Sequence, residues 1–295
     1  MQRNFKKTMK TRPTLFLIMA LLMAACTGHD KHGDLTLLVA HEVDDMPLVT
    51  DTLCYVNEAG NHYLVNEVQW FMTHLELEDH QGQWTPLADV WYVDTNLPES
   101  QTLRVEAVPA NTYRTLRFTF GLNDIDNMSG RFSNPPESNM FWPDELGGGY
   151  HYMKLNGKFQ NADNLLVPLA IHLGRGQNAD LTEFYDNSFT VEIPIDLTVT
   201  EKQGNTIGLA INLNNWFRGP HVYDFNTYGS AIMQNQEAQQ ILKENGNDVF
   251  RALPENQMEK VLRTTEELLH KAAPKPHFMT WENFKNTIES IKERL

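Results

Sequence analysis

The sequence predicts a mainly β protein, an antiparallel β-sandwich of about nine strands with a C-terminal α-helical extension. Three observations carry that reading. Apolar residues recur at a period of two from Asp34 to about Trp216, and Gly-, Asn- and Pro-containing turns separate the alternating runs. No segment of that span shows sustained helical spacing, as a βαβ fold would require. After Trp216 the apolar period lengthens to that of a helix.

The strands, in order, are DLTLLVA, EVQWFMTHLELED, DVWYVDT, QTLRVEAV, YRTLRFTFGL, GYHYMKLNGKF, LLVPLAIHLG, SFTVEIPIDLTVT and NTIGLAINLNNW. In the eighth, Phe189, Val191, Ile193, Ile195, Leu197 and Val199 point one way. Thr190, Glu192, Pro194, Asp196 and Thr198 point the other, and Pro194 marks an edge or a bulge. The turns NEAGN, EDHQGQ and VPANT fall where such strands need them. Beyond Trp216, SAIMQNQEAQQILKENG has Ile232, Met233, Ile241 and Leu242 at helical spacing, with Gly246 as its stop. PENQMEKVLRTTEELLHK and TWENFKNTIESIKERL follow. The second carries a stripe of Trp281, Phe284, Ile288, Ile291 and Leu295, suited to packing on the sandwich or on a neighbouring helix.

The N-terminus carries a basic stretch (Lys6, Lys7, Lys10, Arg12) and then the apolar run LFLIMALLMAA, Leu15 to Ala25. That run has the length of a signal-peptide core and is too short to span a bilayer, which takes ~20 residues. Ala24, Ala25 and Cys26 resemble a bacterial lipoprotein signal, in which the cysteine is acylated and becomes the mature N-terminus. The expected organisation is therefore a signal peptide over residues 1–25, a tether over 26–34, a sandwich domain over 35–228 and a helical extension over 229–295. The expected location is the cell envelope, on the outer membrane, with membrane lipid as a partner through Cys26. Only one other cysteine is present, Cys54. With Cys26 lipidated no intrachain disulfide forms, and LCYV reads as burying Cys54 as a small apolar residue.

A net charge of -14 over 295 residues excludes nucleic acid as the main partner, because phosphate binding needs a basic face. HExxH, GxSxG, CxxC and GxxxxGK[ST] are all absent, so no catalytic motif supports an enzyme. Of the eleven histidines, His41, His74, His151 and His172 sit in or at the ends of predicted strands. A lone strand histidine is ordinarily a hydrogen-bonded structural residue. Several that converge at one mouth of a sandwich would make an imidazole site for copper, zinc or nickel. The segment NMFWPDELGGGYHYMKLNG adds three consecutive glycines between Trp142 and His151. They let the backbone double back, either to set Trp142 beside His151 at a metal or to let Phe141 and Trp142 plug one end of the sandwich.

Several stretches together resemble the MbnP-like family of copper-binding proteins. FTFGLNDIDN holds an F-x-x-G-x-N corner from Phe118 to Asn123, and Met140 with Trp142 make an M-x-W loop. A G-Y strand runs from Gly149 and Tyr150 to Lys154 and Gly157, and His172, Leu173 and Gly174 make an H-L-G. Upstream, Tyr55 to Gly60 and Pro109 to Tyr113 match a Y-x-N-x-x-G turn and a P-x-x-x-Y corner. The resemblance covers roughly Leu35 to Trp216 with motif order intact, and the GGGYHYMKLNG form resembles a lipoprotein subset of Bacteroidetes-type bacteria.

The resemblance implies an exported β-sandwich that binds copper through histidines. It also implies a tryptophan oxidised to kynurenine by a dihaem peroxidase-like partner. On matching motifs His172 and Trp142 are carried over, while His41, His74 and His151 come from strand context. The flanking cysteines and the H-L-G-S-T-G-C ending of some methanobactin-associated members are missing. The expectation is a lipid-anchored copper-binding protein for metal acquisition or handling, not an enzyme. The alternative is a metal-free accessory subunit of an envelope complex, with residues 230–295 as its interaction surface. A hydrolase built on acidic loop residues is a third reading.

Overall fold

The computed structural model describes residues 31–178, 180–201, 204–254, 257 and 258. The expected signal peptide, Cys26 and most of the expected helical extension lie outside the described residues. Fourteen strands run through the described residues: β1 (His32–Val43), β2 (Met46–Pro47), β3 (Tyr55–Val56), β4 (His62–Asp79), β5 (Trp84–Asp94), β6 (Thr102–Pro109), β7 (Thr112–Phe120), β8 (Met153–Gln160), β9 (Leu166–Leu173), β10 (Gly176–Gln177), β11 (Phe184–Tyr185), β12 (Phe189–Thr198), β13 (Asn205–Asn212) and β14 (Phe250–Leu253). Nine of them are eight residues or longer, and these are the nine read from the sequence. The protein is mainly β, as expected, and His32 to Asp34 open β1 rather than belonging to a tether.

One sheet has the order β14-β13-β1-β2, with β6 also paired to β1. The β1–β13 pair is parallel, from Leu35 opposite Asn205 to Glu42 opposite Asn212. This ladder departs from the antiparallel pairing of its neighbours, because alternation tells which face a residue occupies but not which way its partner strand runs. The other large sheet has the order β12-β7-β4-β8-β9, with β3 and β5 also on β4. Its eighteen-residue strand β4 is shared. One edge pairs β8 along Tyr63–Trp70 and then β7 along Met72–Asp79, while the other pairs β3 and then β5.

The two sheets meet across an aromatic core. Trp70 of β4 and Phe118 and Phe120 of β7 pack on Phe250 of β14, with ring centroids 5.2–5.8 Å apart. Trp216 lies 5.0 Å from Phe120. Trp70, Trp216, Phe118 and Phe120 are fully buried, each withdrawing roughly 150–250 Å² from water.

The region after Trp216 is not wholly helical. A helix spans Gln236–Asn245, with the Asn235 side chain accepting from the Ala238 amide at its start. Gly246 does end it, but with a right-handed φ of -61°. Glycine is needed there because the Phe189 ring presses on its backbone, with Cζ 2.2 Å from where a Cβ would stand. The chain then returns to sheet as β14, antiparallel to β13. Four residues are too few to display a period, so this strand was hidden in a segment read as helix.

Candidate metal centre

The glycine run folds as a left-handed corner. Gly147, Gly148 and Gly149 have φ of +102°, +65° and +87°, a succession that L-residues with a Cβ do not sustain. The chain thereby turns back so that the Trp142 amide bonds the Gly149 carbonyl at 2.8 Å and Phe141 bridges Tyr150. Trp142 is buried inward, its indole Nε1–H donating to the Leu146 carbonyl at 3.1 Å. Its ring lies edge-on to His151, with centroids 4.7 Å apart. Phe141 points the other way and is 64% exposed at the rim.

Beneath this loop lies the outer face of the β4–β8–β9 sheet. Val68, Leu155 and Ile171 face the core, so their neighbours face outward. Cross-strand register makes two rows there: Gln69, Lys154 and His172, and beside it Glu67, Asn156 and Ala170. Ala170 continues into a parallel bridge with Ala231. A cavity of about 350 Å³ opens between sheet and loop, lined by Glu67, Gln69, Lys154, His172 and Met233 on one side and Phe141 and His151 on the other.

His151 and His172 come together in it, with ring centroids 5.0 Å apart. One ion ~2 Å from a nitrogen of each ring spans that separation. Their hydrogen bonds fix which nitrogens remain. The Nδ1–H of His151 donates to the Met140 carbonyl at 3.0 Å, leaving Nε2 with its lone pair. That Nε2 is buried and has no hydrogen-bond partner. On His172, Nε2–H donates to Asn156 Oδ1 at 2.8 Å, which leaves Nδ1 as the lone-pair nitrogen. The amide of Asn156 cannot reverse without loss, because its Nδ2 donates to Glu67 Oε1 at 2.8 Å. Through Asn156 the Glu67 carboxylate thus fixes the tautomer and orientation of the His172 ring, as outer hydrogen-bond partners do for metal-binding histidines.

Both rings are neutral at ordinary pH. Burial pushes the His151 pKa down to about 3 and that of His172 to about 4, and the nearby Lys154 charge acts in the same direction on both. Lys154 itself is lowered by burial, and its Nζ donates to the Asn139 carbonyl at 2.7 Å. Neutral imidazole is the form that binds copper or zinc. An orphaned buried nitrogen beside a second oriented imidazole fits a borderline or soft cation. No third His, Cys, Asp or Glu joins the pair among the described residues.

The other two expected ligands lie elsewhere. His41 projects from β1 into the core, and its Nε2 accepts the indole N–H of Trp70 at 3.1 Å. That bond occupies the lone pair a metal would need, and burial lowers the His41 pKa to about 4. His74 occupies a bulge of β4 with φ of +51°, which swings its ring out to solvent, where Nε2 pairs with Asp126 at 2.9 Å. The four-histidine convergence is therefore corrected to a pair. His221, also exposed, pairs with Glu244 at 2.5 Å. Cys54 is exposed rather than buried, because only Tyr55 and Val56 of that stretch join a strand.

Sequence reasoning missed Asn156, Glu67 and Met233. Asn156 sits two residues after Lys154 on the outward face of a strand, so alternation could have placed it beside His172 had the β8–β9 register been known.

The family model described as MbnP matches residues 32–236. Among solved structures, MbnP from Methylosinus trichosporium is similar at 18% identity with a TM-score of 0.45, covering 64% of this chain and 79% of that one. No curated protein sequence matches.

Proposed function

The chain belongs to the MbnP family, and from that premise we propose that it binds one copper ion between His151 and His172, for metal acquisition or handling at the cell envelope. The observation that carries the reading is the pair of neutral imidazoles 5.0 Å apart, one with a buried, unpartnered Nε2. In this reading the protein is a binder and not a catalyst, held at the membrane through acylated Cys26. Trp142, against His151, is the indole that a dihaem peroxidase-like partner would oxidise.

Protein purified without its lipid anchor is expected to take up close to one copper per chain. The His151→Ala/His172→Ala double variant is expected to lose that copper, while His41→Gln and His74→Ala keep it. Unchanged stoichiometry in the double variant would overturn the assignment and leave a metal-free accessory subunit as the reading to pursue.

A further inference from the structure

The two sheets treat their outward faces differently. Along β12 buried and exposed residues alternate, so the outward side of that strand meets water. β1 and β13 are buried on both sides. Leu35, Leu37 and Val39 of β1 belong to the core. Thr36, Leu38, Ala40 and Glu42 point the other way, yet they are only 7%, 3%, 7% and 5% exposed. A strand closed on both faces needs a layer on each.

Cross-strand register lays out that outward face. Leu38, Gly208 and Leu253 form one row across β1, β13 and β14, and Ala40, Ala210 and Arg251 form the next. The Arg251 guanidinium clasps Glu42 at 2.7 and 2.8 Å. What remains is a trough of small residues, Ala40, Gly208 and Ala210, bordered by Leu38 and Leu253.

Met258 enters this trough and packs with Ala40, Ala210 and Leu253. Its Cγ stands 3.0 Å from the point where a Cβ on Gly208 would project, so a side chain there would crowd it out. The Met258 amide bonds the Pro254 carbonyl at 3.2 Å, an i to i−4 step, and Gln257 and Met258 are helical. Pro254 has no N–H to extend the β14 ladder and suits the first turn of a helix.

One side chain cannot shut a face whose rows run from Thr36 to Glu42, ~20 Å along the strand. In the sequence Met258 is the first member of an apolar stripe, with Val261, Leu262, Thr265, Leu268 and Leu269 at helical spacing. As a helix, Met258 to Leu269 reaches ~17 Å. We propose that residues 259–269, which lie outside the described residues, continue this helix and cover the outward face of the β14–β13–β1 sheet. Val261 and Leu262 then follow Met258 into the trough. Lys260, Arg263 and Glu267 fall on the opposite side of the same helix and meet water. The stripe is thereby committed within the chain and is not a surface for another subunit.

The test uses the full chain without its lipid anchor, in a Cys54→Ser background, with Ala40→Cys as the sole thiol and reporter of the trough. Its reaction with a chromogenic disulfide reagent is followed under native conditions. Leu262→Glu is expected to speed that reaction at least about tenfold, because a carboxylate resists burial and favours the open form. Glu267→Gln, on the opposite side, is expected to leave it unchanged. Cooperative thermal unfolding shows that the sandwich is intact, and Leu262→Ala, with the same direction expected, replaces any glutamate variant that fails to fold. A thiol equally slow in a folded Leu262 variant overturns the assignment. Protection that vanishes on dilution gives the face to a second copy and also overturns it. So does release by Ile288→Glu but not by Leu262→Glu, which gives the face to the last stripe of the chain.

Discussion

The indole of Trp142 packs against Gly174, with Cε3 2.5 Å from the point where a Cβ would project. The glycine that closes the His172-Leu173-Gly174 motif is thus the floor on which the tryptophan rests, and the ring in turn buttresses His151. Gly174→Ala is expected to push the ring out, cost about 1–3 kcal/mol by overpacking and lower the melting temperature measurably. Copper affinity should fall with it, since His151 loses its edge-on neighbour. An alanine variant with unchanged melting temperature and copper binding would show the indole to be free to shift.

Asn156 should matter to metal affinity out of proportion to its effect on folding. Asn156→Leu removes the acceptor that holds the His172 Nε2 proton and the donor to Glu67. We expect a 10–100-fold loss in copper affinity by isothermal titration. Thermal stability should change little, because the residue is only half-buried. Equal affinity would mean that the ring orients without help.

His41 supplies a negative control for the site and a pH signature of its own. Its folded pKa of about 4 lies below its usual value of 6.5. The unfolded chain therefore takes up the proton first as pH falls, so the stability this residue contributes is complete above pH 6.5 and is lost down to about pH 4. The loss amounts to at most about 3 kcal/mol at ~1.4 kcal/mol per pH unit. His41→Gln, which keeps an acceptor for Trp70, is expected to flatten the melting-temperature profile between pH 6.5 and 4. A profile as steep as wild type would assign the acid sensitivity to other groups.

Trp70→Phe removes the indole N–H that satisfies His41. A cost of about 1–3 kcal/mol follows for leaving a buried acceptor unpaired, with copper stoichiometry unchanged because this pair sits in the core. Loss of copper on this substitution would mean that His41 reaches the metal after all.

Most of the fold could be read from alternation. SFTVEIPIDLTVT and NTIGLAINLNNW carry their faces openly, and nine long strands appear where the period of two is longest. What alternation does not encode is pairing. The parallel β1–β13 ladder and the return of Phe250–Leu253 to its edge depend on contacts far apart in the chain. The same limit divided the histidines. His172 and His151 were marked by a motif and by the glycines before it, whereas His74 is aimed away by a bulge that shifts one register step. Met233 sat in a segment whose spacing suggested a helix, and only the bridge of nearby Ala231 to β9 brings it to the cavity that His172 lines.

The β1–β13 ladder also bears on how the chain is made. Leu35 waits for Asn205, 170 positions later, before that margin of the strand is matched. During synthesis from the N-terminus, the nascent protein exposes a long apolar ribbon edge until nearly three quarters of it has emerged. Such an edge is an invitation to pair with a foreign strand, so the interval before closure is when this protein most needs a holding chaperone.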